Sequence, residues 1–136
     1  MRLFFYGTLL DQELRRLVIG REVEVAAATL SGWRRLGVAG EHFPIIERDP
    51  AGSVAGVVTE PLGGGEMARL RHYEGDGYRL VAAEVHDDGG AGIAAQVFMP
   101  PDGRYVGVGA WGLVDWQRDH RAAVLARLRG YDWPRR

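Results

Sequence analysis

The sequence predicts one α+β domain in which a mixed, strongly bent or closed sheet carries helices on its outside. Stretches with strand character outnumber helical stretches, at roughly five to seven against three. The two kinds do not alternate regularly along the 136 residues, as they must in a doubly wound parallel sheet. The length suits a single domain, and no internal repeat or linker divides the chain.

The first strand and the first helix follow from the N-terminal pattern. Residues 2–6 are predicted to form a strand that ends at Gly7. Thr8 or Asp11 is the expected N-cap of the following helix, and Gly20 is its expected end. That helix is predicted because four apolar residues share one helical face: Leu10, Leu14, Leu17 and Val18.

The next segments are predicted to be strands of the sheet. Residues 23–38 form one long strand or two short ones, with a bulge or bend at Gly32. A short strand is expected at 44–47. The sequence Asp-Pro-Ala-Gly at 49–52 is a strong turn signal, so residues 53–60 are expected to pair back across it.

The second half is predicted to add two helices and a hairpin. A short helix spans 66–73, and residues 78–86 and 93–99 form the hairpin. Residues 113–128 are predicted to be the longest helix. We treat residues 1–136 as a single domain with 104–136 as a C-terminal helical extension.

The composition excludes several kinds of chemistry. The chain has no cysteine, and its 17 basic residues are all arginine, so a thiolate nucleophile, a disulfide and a Schiff-base lysine are absent. Neither Ser31 nor Ser53, the two serines, lies in the Gly-x-Ser-x-Gly elbow of a serine hydrolase. Carboxylate, histidine, tyrosine or backbone groups must therefore do any catalytic work.

The charge balance and the N-terminus indicate partners and location. The 17 basic and 18 acidic residues nearly cancel, which predicts no nucleic-acid partner and no anionic membrane partner. The apolar run 1–6 is too short for a signal peptide or a membrane span. We expect the protein to stay in the cytoplasm. Its oligomeric state does not follow from the sequence.

The segment from Tyr6 to Leu9 delivers a strand directly into a turn that starts a helix. Such a turn leaves backbone N–H groups unpaired at the positive end of the helix dipole, where they suit a carboxylate or an oxyanion. Gly7 is expected to allow close approach of a ligand and unusual dihedral angles. A plain strand-to-helix turn is the alternative interpretation.

The second segment with chemical potential ends the short helix at Glu74. Gly75 is a plausible left-handed C-cap. Glu74 then lies at the negative end of the helix dipole, so its pKa should be raised, and more so if it is buried. That property suits a group that takes up and releases a proton. A solvated surface glutamate is the alternative, and Asp76 competes for the role but more naturally serves the turn.

Together these segments resemble the γ-glutamyl cyclotransferase-like family. Its members carry Tyr-Gly-Ser/Thr-Leu after the first strand, here residues 6–9. They carry an aromatic-Glu-Gly/Asp segment followed by Tyr-x-Arg, here 73–75 and 78–79. The stretch Phe43-Pro44-Ile45 is also similar. Members often have Asp two or three residues before the glutamate, where this chain has Arg71-His72.

The resemblance implies a compact mixed β-barrel flanked by helices. It also implies that a γ-glutamyl amino acid or amine is converted to 5-oxoproline and a free amine, with Glu74 as general acid/base and no cofactor or metal. The substrate-binding residues that it implies are Tyr6, Gly7, Thr8, Leu9, Pro44 and Tyr78. The leaving amine stays open.

Two competing interpretations accompany this hypothesis. The histidines show no i, i+4 pair and are expected to be surface or structural residues rather than metal ligands: His42, His72, His86 and His120. A non-catalytic module that binds a small acidic γ-glutamyl-like metabolite is the functional alternative. A Glu74 side chain that points into a pocket near the 6–9 backbone favours the enzyme, whereas one that points to solvent favours the binding module.

Overall fold

A computed structural model describes residues 1–134 of the chain. The elements, in chain order, are β1 (Phe4–Phe5), a single 3₁₀ turn (Thr8–Leu10), α1 (Gln12–Ile19), β2 (Val25–Val38), β3 (Pro44–Thr59), α2 (Gly64–Glu74), β4 (Arg79–Asp87), β5 (Gly92–Met99), β6 (Gly107–Val108), α3 (Leu113–Asp119) and α4 (Arg121–Arg129). Within residues 1–134, no helix is both long enough and apolar enough to span a membrane.

The strands form one six-stranded sheet with antiparallel pairing. The order is β1-β3-β2-β4-β5, and β6 pairs with the end of β2. An isolated parallel bridge between Leu3 and Gln96 brings the two end strands together at one point, but it does not close the sheet. The predicted α+β class with five to seven strands is therefore confirmed, and the barrel is open.

β2 is one long strand rather than two short ones, and its bend falls where the sequence predicts it. Gly32 has a φ of +88°, a backbone conformation that side chains other than glycine rarely adopt. The pairing with β3 shifts register between Ser31 and Trp33. Gly32 therefore marks a bulge in the middle of the strand.

The predicted hairpin between 44–47 and 53–60 is wrong. Both stretches belong to β3, which pairs with β2 on either side of the bulge, matching Trp33 with Arg48 and Ser31 with Ser53. The turn-forming residues 49–52 remain within β3, and the Asp49 side chain accepts a hydrogen bond from the Ala51 N–H at 3.2 Å. The pairing along β2 outweighs the local turn preference, which is satisfied inside the bulge.

Two buried clusters lie on opposite faces of the sheet. One packs the helices against it and includes Leu14, Leu70 and Trp116. The other includes Phe4, Val54 and Ala95. In β1, Phe5 packs in the first cluster and Phe4 in the second, because successive side chains of a strand point to opposite faces of the sheet.

The ends of α1 are set by Asp11 and Gly20. Asp11, not Thr8, is the N-cap, and its side chain accepts a hydrogen bond from the Leu14 N–H at 2.8 Å. Gly20 ends the helix with a left-handed φ of 93°. Leu10 lies in the preceding 3₁₀ turn rather than in the helix.

The long helix predicted over 113–128 is two helices, because the chain turns at His120 (φ −129°, ψ −24°). Trp116 of α3 and Val124, Leu125 and Leu128 of α4 are all buried in the cluster beneath the helices. Hydrophobic spacing does not mark the break, since these buried residues keep helical spacing across it.

Ion pairs and a hydrogen bond join α4 and the end of α3 to the start of α1. The Arg121 Nε donates to the Asp11 carboxylate at 2.7 Å, and the Gln117 side chain donates to the same group at 3.0 Å. Arg129 donates to Glu13 at 2.8 Å. Asp11 is only 2% exposed, so it caps α1 and joins the helices at once.

We expect Asp11→Ala to lower the free energy of unfolding by about 2 kcal/mol, because the helix cap and the charged hydrogen bonds are lost together. Asp119→Ala is the matched control. Asp119 is exposed and its side chain pairs with the neighbouring Arg118, so its loss should cost less than about 0.5 kcal/mol. Urea unfolding of both variants measures the difference. Equal stabilities would show that Asp11 does not join the helices.

Candidate active site

A cavity of about 270 Å³ opens between the end of β1, the 3₁₀ turn, the 41–44 segment, the end of α2 and α4. We call it the Glu74 cavity. It is lined by all seven residues that the sequence singled out, namely Tyr6, Gly7, Thr8, Leu9, Pro44, Glu74 and Tyr78. Their placement together agrees with a shared site, and their individual roles remain predictions.

Glu74 is the last residue of α2, and Gly75 ends that helix. The Gly75 N–H donates to the Arg71 carbonyl at 3.0 Å. Gly75 has the expected positive φ of 85°, but its ψ of 179° lies outside the left-handed helical region and turns the chain away from the helix. Leu70 and Met67, one and two turns earlier, are buried and hold this end of α2 against the core.

The Glu74 side chain is partly buried, and its carboxyl group is desolvated and has no counter-ion within residues 1–134. Burial raises its pKa from 4.5 to about 8. No hydrogen bond or ion pair to the carboxyl group comes from residues 1–134, so nothing there stabilises the carboxylate. The raised pKa agrees in direction with the sequence-based expectation, but its cause is burial rather than the end of the helix dipole.

Three tyrosines surround the carboxyl group. The Tyr6 hydroxyl donates to the Phe98 carbonyl at 3.0 Å, and the Tyr73 and Thr8 hydroxyls share a hydrogen bond of 2.7 Å. Burial raises the pKa values of Tyr6, Tyr73 and Tyr78, and the charge on Glu74 raises them further. The phenols therefore stay neutral, and Glu74 is the acid of this group that titrates near neutral pH.

The 3₁₀ turn faces the cavity with unpaired backbone donors. Its own hydrogen bonds run from Leu10 N–H to the Gly7 carbonyl and from Asp11 N–H to the Thr8 carbonyl, each 3.0 Å. Within residues 1–134, the N–H groups of Gly7, Thr8 and Leu9 have no backbone acceptor. These groups are free to bind an anion or a polarised carbonyl oxygen.

Gly7 combines unusual backbone angles with a close packing contact. Its φ of −130° and ψ of −131° lie outside the helical and extended regions, in agreement with the expected unusual dihedral angles. A Cβ atom at this position would lie 2.9 Å from Cγ of Pro44. Glycine therefore lets the 3₁₀ turn lie directly against Pro44, and this contact shapes one wall of the cavity.

Asp76, the competitor of Glu74, does not line the cavity. It is exposed, and its carbonyl accepts a hydrogen bond from Arg104 at 3.3 Å. This position agrees with a role in the turn after α2.

His42 lines the cavity and also supports the core. Its Nδ1 accepts a hydrogen bond of 2.9 Å from Nε1 of the buried Trp116, so a neutral His42 carries its proton on Nε2. Burial, His120 and Arg127 together lower the pKa of His42, which favours this neutral form. The sequence placed His42 among ordinary surface or structural residues and did not connect it with the cavity.

Further cavity residues carried no motif in the sequence. Tyr105 lies in the segment before β6, and Arg127 lies in α4. Tertiary packing alone brings them to the cavity. Within residues 1–134, no three His, Cys, Asp or Glu side chains cluster in a way that could hold a metal ion. The terminal Arg135-Arg136 pair lies outside the described residues.

Known proteins resemble this chain over most of its length. Residues 3–118 match the family model described as "Gamma-glutamyl cyclotransferase, AIG2-like". AIG2-like protein A of Arabidopsis thaliana is 28% identical over 128 residues, which cover 90% of this chain and 75% of that protein.

Solved structures share the fold at lower identity. An Arabidopsis thaliana protein determined in solution has a TM-score of 0.71 at 24% identity, with 93% of this chain and 86% of that chain covered. A structure described as gamma-glutamyl cyclotransferase has a TM-score of 0.71 at 16% identity, with 96% and 87% covered.

We expect Gly7→Ala to lower the free energy of unfolding by about 1–3 kcal/mol, because the new methyl group overlaps the Pro44 ring. Pro44→Ala removes that ring and makes room for the methyl group. The double variant should therefore lose less stability than the sum of the two single variants. Thermal or urea unfolding of the four proteins measures this. Additive losses would contradict the contact between Gly7 and Pro44.

Proposed function

The chain belongs to the AIG2-like gamma-glutamyl cyclotransferase family, and on this premise we propose that it converts a γ-glutamyl amino acid or γ-glutamyl amine to 5-oxoproline and a free amine. Glu74 is the general acid/base. The observation that carries the proposal is the partly buried carboxyl group in the cavity, with its pKa of about 8 and without a counter-ion among the described residues.

The reaction is an intramolecular acyl transfer. The α-amino nitrogen of the glutamyl group forms a bond to its own γ-carbonyl carbon, and the bond from that carbon to the leaving nitrogen breaks. One proton moves from the attacking nitrogen to the leaving nitrogen, and no water is consumed. The substrate supplies the nucleophile, so the absence of cysteine, lysine and a serine elbow from the chain is no obstacle.

The raised pKa matches Glu74 to this proton transfer. The α-amino group of a γ-glutamyl compound keeps its free α-carboxylate beside it, so it is at least as basic as a peptide α-amino group, whose pKa is about 8. The pKa of about 8 for Glu74 brings the two groups much closer in proton affinity than an ordinary glutamate would, which suits a general base that later acts as an acid. A solvent-exposed glutamate, with a pKa near 4.3, would be a much weaker base.

The 3₁₀ turn supplies the second requirement, which is to hold the glutamyl group in attack geometry. The free N–H groups of Gly7, Thr8 and Leu9 bind the glutamyl end of the substrate and stabilise the developing oxyanion. The hydrogen bond of 2.7 Å between Thr8 and Tyr73 ties this turn to the residue next to Glu74. The base and the donors thus keep a fixed spacing.

The position of Glu74 supports the enzyme over a non-catalytic binding module. A binding module could pair the ammonium group of such a metabolite with an ordinary ionised carboxylate, so a desolvated carboxyl group with a raised pKa adds nothing to binding. The same group is useful where a proton must be taken up and returned.

We expect Glu74→Gln to abolish 5-oxoproline release from a panel of γ-glutamyl amino acids and amines, while the variant stays folded. Wild-type activity should rise as the pH increases through about 8. Below that value Glu74 and the substrate amino group are both protonated, so no base is present to take the proton from the attacking nitrogen. Chromatographic measurement of 5-oxoproline between about pH 6 and 9 tests both points.

Asp76→Asn is the matched control, since it neutralises the acid two positions along but outside the cavity. It should retain activity. Wild-type activity in Glu74→Gln would remove Glu74 from the mechanism. Binding of γ-glutamyl compounds by the wild type without any 5-oxoproline would favour the binding module.

A further inference from the structure

Arg127 stands apart from the other arginines of α4. Arg121 and Arg129 pair with Asp11 at 2.7 Å and with Glu13 at 2.8 Å. Arg127 lines the Glu74 cavity instead, and it forms no ion pair with any residue from 1 to 134. Its positive charge lowers the pKa values of His42 and Tyr73, which places the guanidinium group beside both.

The charges around the cavity favour an anionic ligand group near Arg127. Among the lining residues, Glu41, Glu74 and Arg127 are the strongly acidic or basic ones. Glu74 is mostly protonated below pH 8 because burial raises its pKa to about 8. Glu41 is exposed in the 41–44 segment and does not form an ion pair with Arg127. A guanidinium group without a counter-ion suits a carboxylate, which it binds through two parallel hydrogen bonds.

The proposed function gives the glutamyl half of the substrate other partners. On that proposal the N–H groups of the 3₁₀ turn bind its carboxylate, and Glu74 exchanges a proton with its amino group. Arg127 comes from a different element, α4, lies beside His42 and Tyr73, and is exposed to solvent although it lines the cavity. A cation at the exposed rim of the cavity suits the half of the substrate that extends toward solvent, which is the leaving amine.

We propose that Arg127 binds a carboxylate on the amine that leaves, so that the preferred substrates are γ-glutamyl amino acids rather than γ-glutamyl amines without a carboxylate. This inference rests on the proposed function. Arg127 is then a specificity-determining residue, and the helix that carries it recognises the leaving group.

A general preference for cations in the last turn of a helix does not account for this placement. Arg127 and Arg129 both lie in the last turn of α4 and complement the helix dipole equally. Only Arg127 lines the cavity. Arg129 therefore provides a control with the same helix, the same charge and a different position.

The test compares γ-glutamyl-alanine with γ-glutamyl-alaninamide, which differ in the carboxylate of the leaving group. The wild type should favour the acid by about tenfold or more in kcat/KM, the worth of one charged hydrogen-bonded pair. Arg127→Gln should remove this preference and change turnover of the amide by less than about twofold. Arg127→Lys should restore part of the preference, and Arg129→Gln should keep all of it.

Each other outcome overturns a distinct claim. Equal use of both substrates by the wild type would overturn the role of Arg127. An equal loss of activity toward both substrates in Arg127→Gln would also overturn it, because Arg127 would then act on the glutamyl half. Failure of the wild type to release 5-oxoproline from either substrate would overturn the proposed function, and this inference with it.

Discussion

The desolvation of one carboxyl group is the constraint on which the site depends. Glu74 lies at the end of α2 among Tyr6, Tyr73 and Tyr78, whose hydroxyl groups stay neutral. An ordinary salt bridge would lower its pKa and remove its value as a base at neutral pH. The absence of a counter-ion for Glu74 among the described residues is what the proposed function requires, and it lowers the stability of the folded chain, which the rest of the fold must offset.

The fold meets this constraint by joining two segments that are far apart in sequence. The buried face of α2 holds Glu74 in place, and the alternating packing of β1 directs the chain into the 3₁₀ turn. The hydrogen bond between Thr8 and Tyr73 links the two segments across 65 positions. Gly7 allows the turn to lie against Pro44, so the backbone donors and the carboxyl group share one small cavity. Helix α4 adds Arg127 to its lining.

The sequence predicted the parts of this site that rest on local signals. The end of α2 at Glu74 follows from Gly75, and the turn after β1 follows from Gly7. The hairpin predicted across residues 49–52 is wrong because the local turn preference there competes with pairing along the whole of β2. That pairing is visible only in the tertiary structure. The break between α3 and α4 was hidden by continuous helical spacing. Tyr105 and Arg127 reach the cavity through packing alone, so no pattern in the chain indicates them.

The most direct measurement of the central claim is the titration of the Glu74 carboxyl carbon by NMR in protein labelled with ¹³C-glutamate, with Glu74→Gln used to assign the signal. The proposed function predicts a transition near pH 8, where burial places the pKa of Glu74, and a loss of that transition in the variant. A transition near the ordinary pKa of 4.5 would show a solvated carboxylate and would contradict a role for Glu74 in proton transfer.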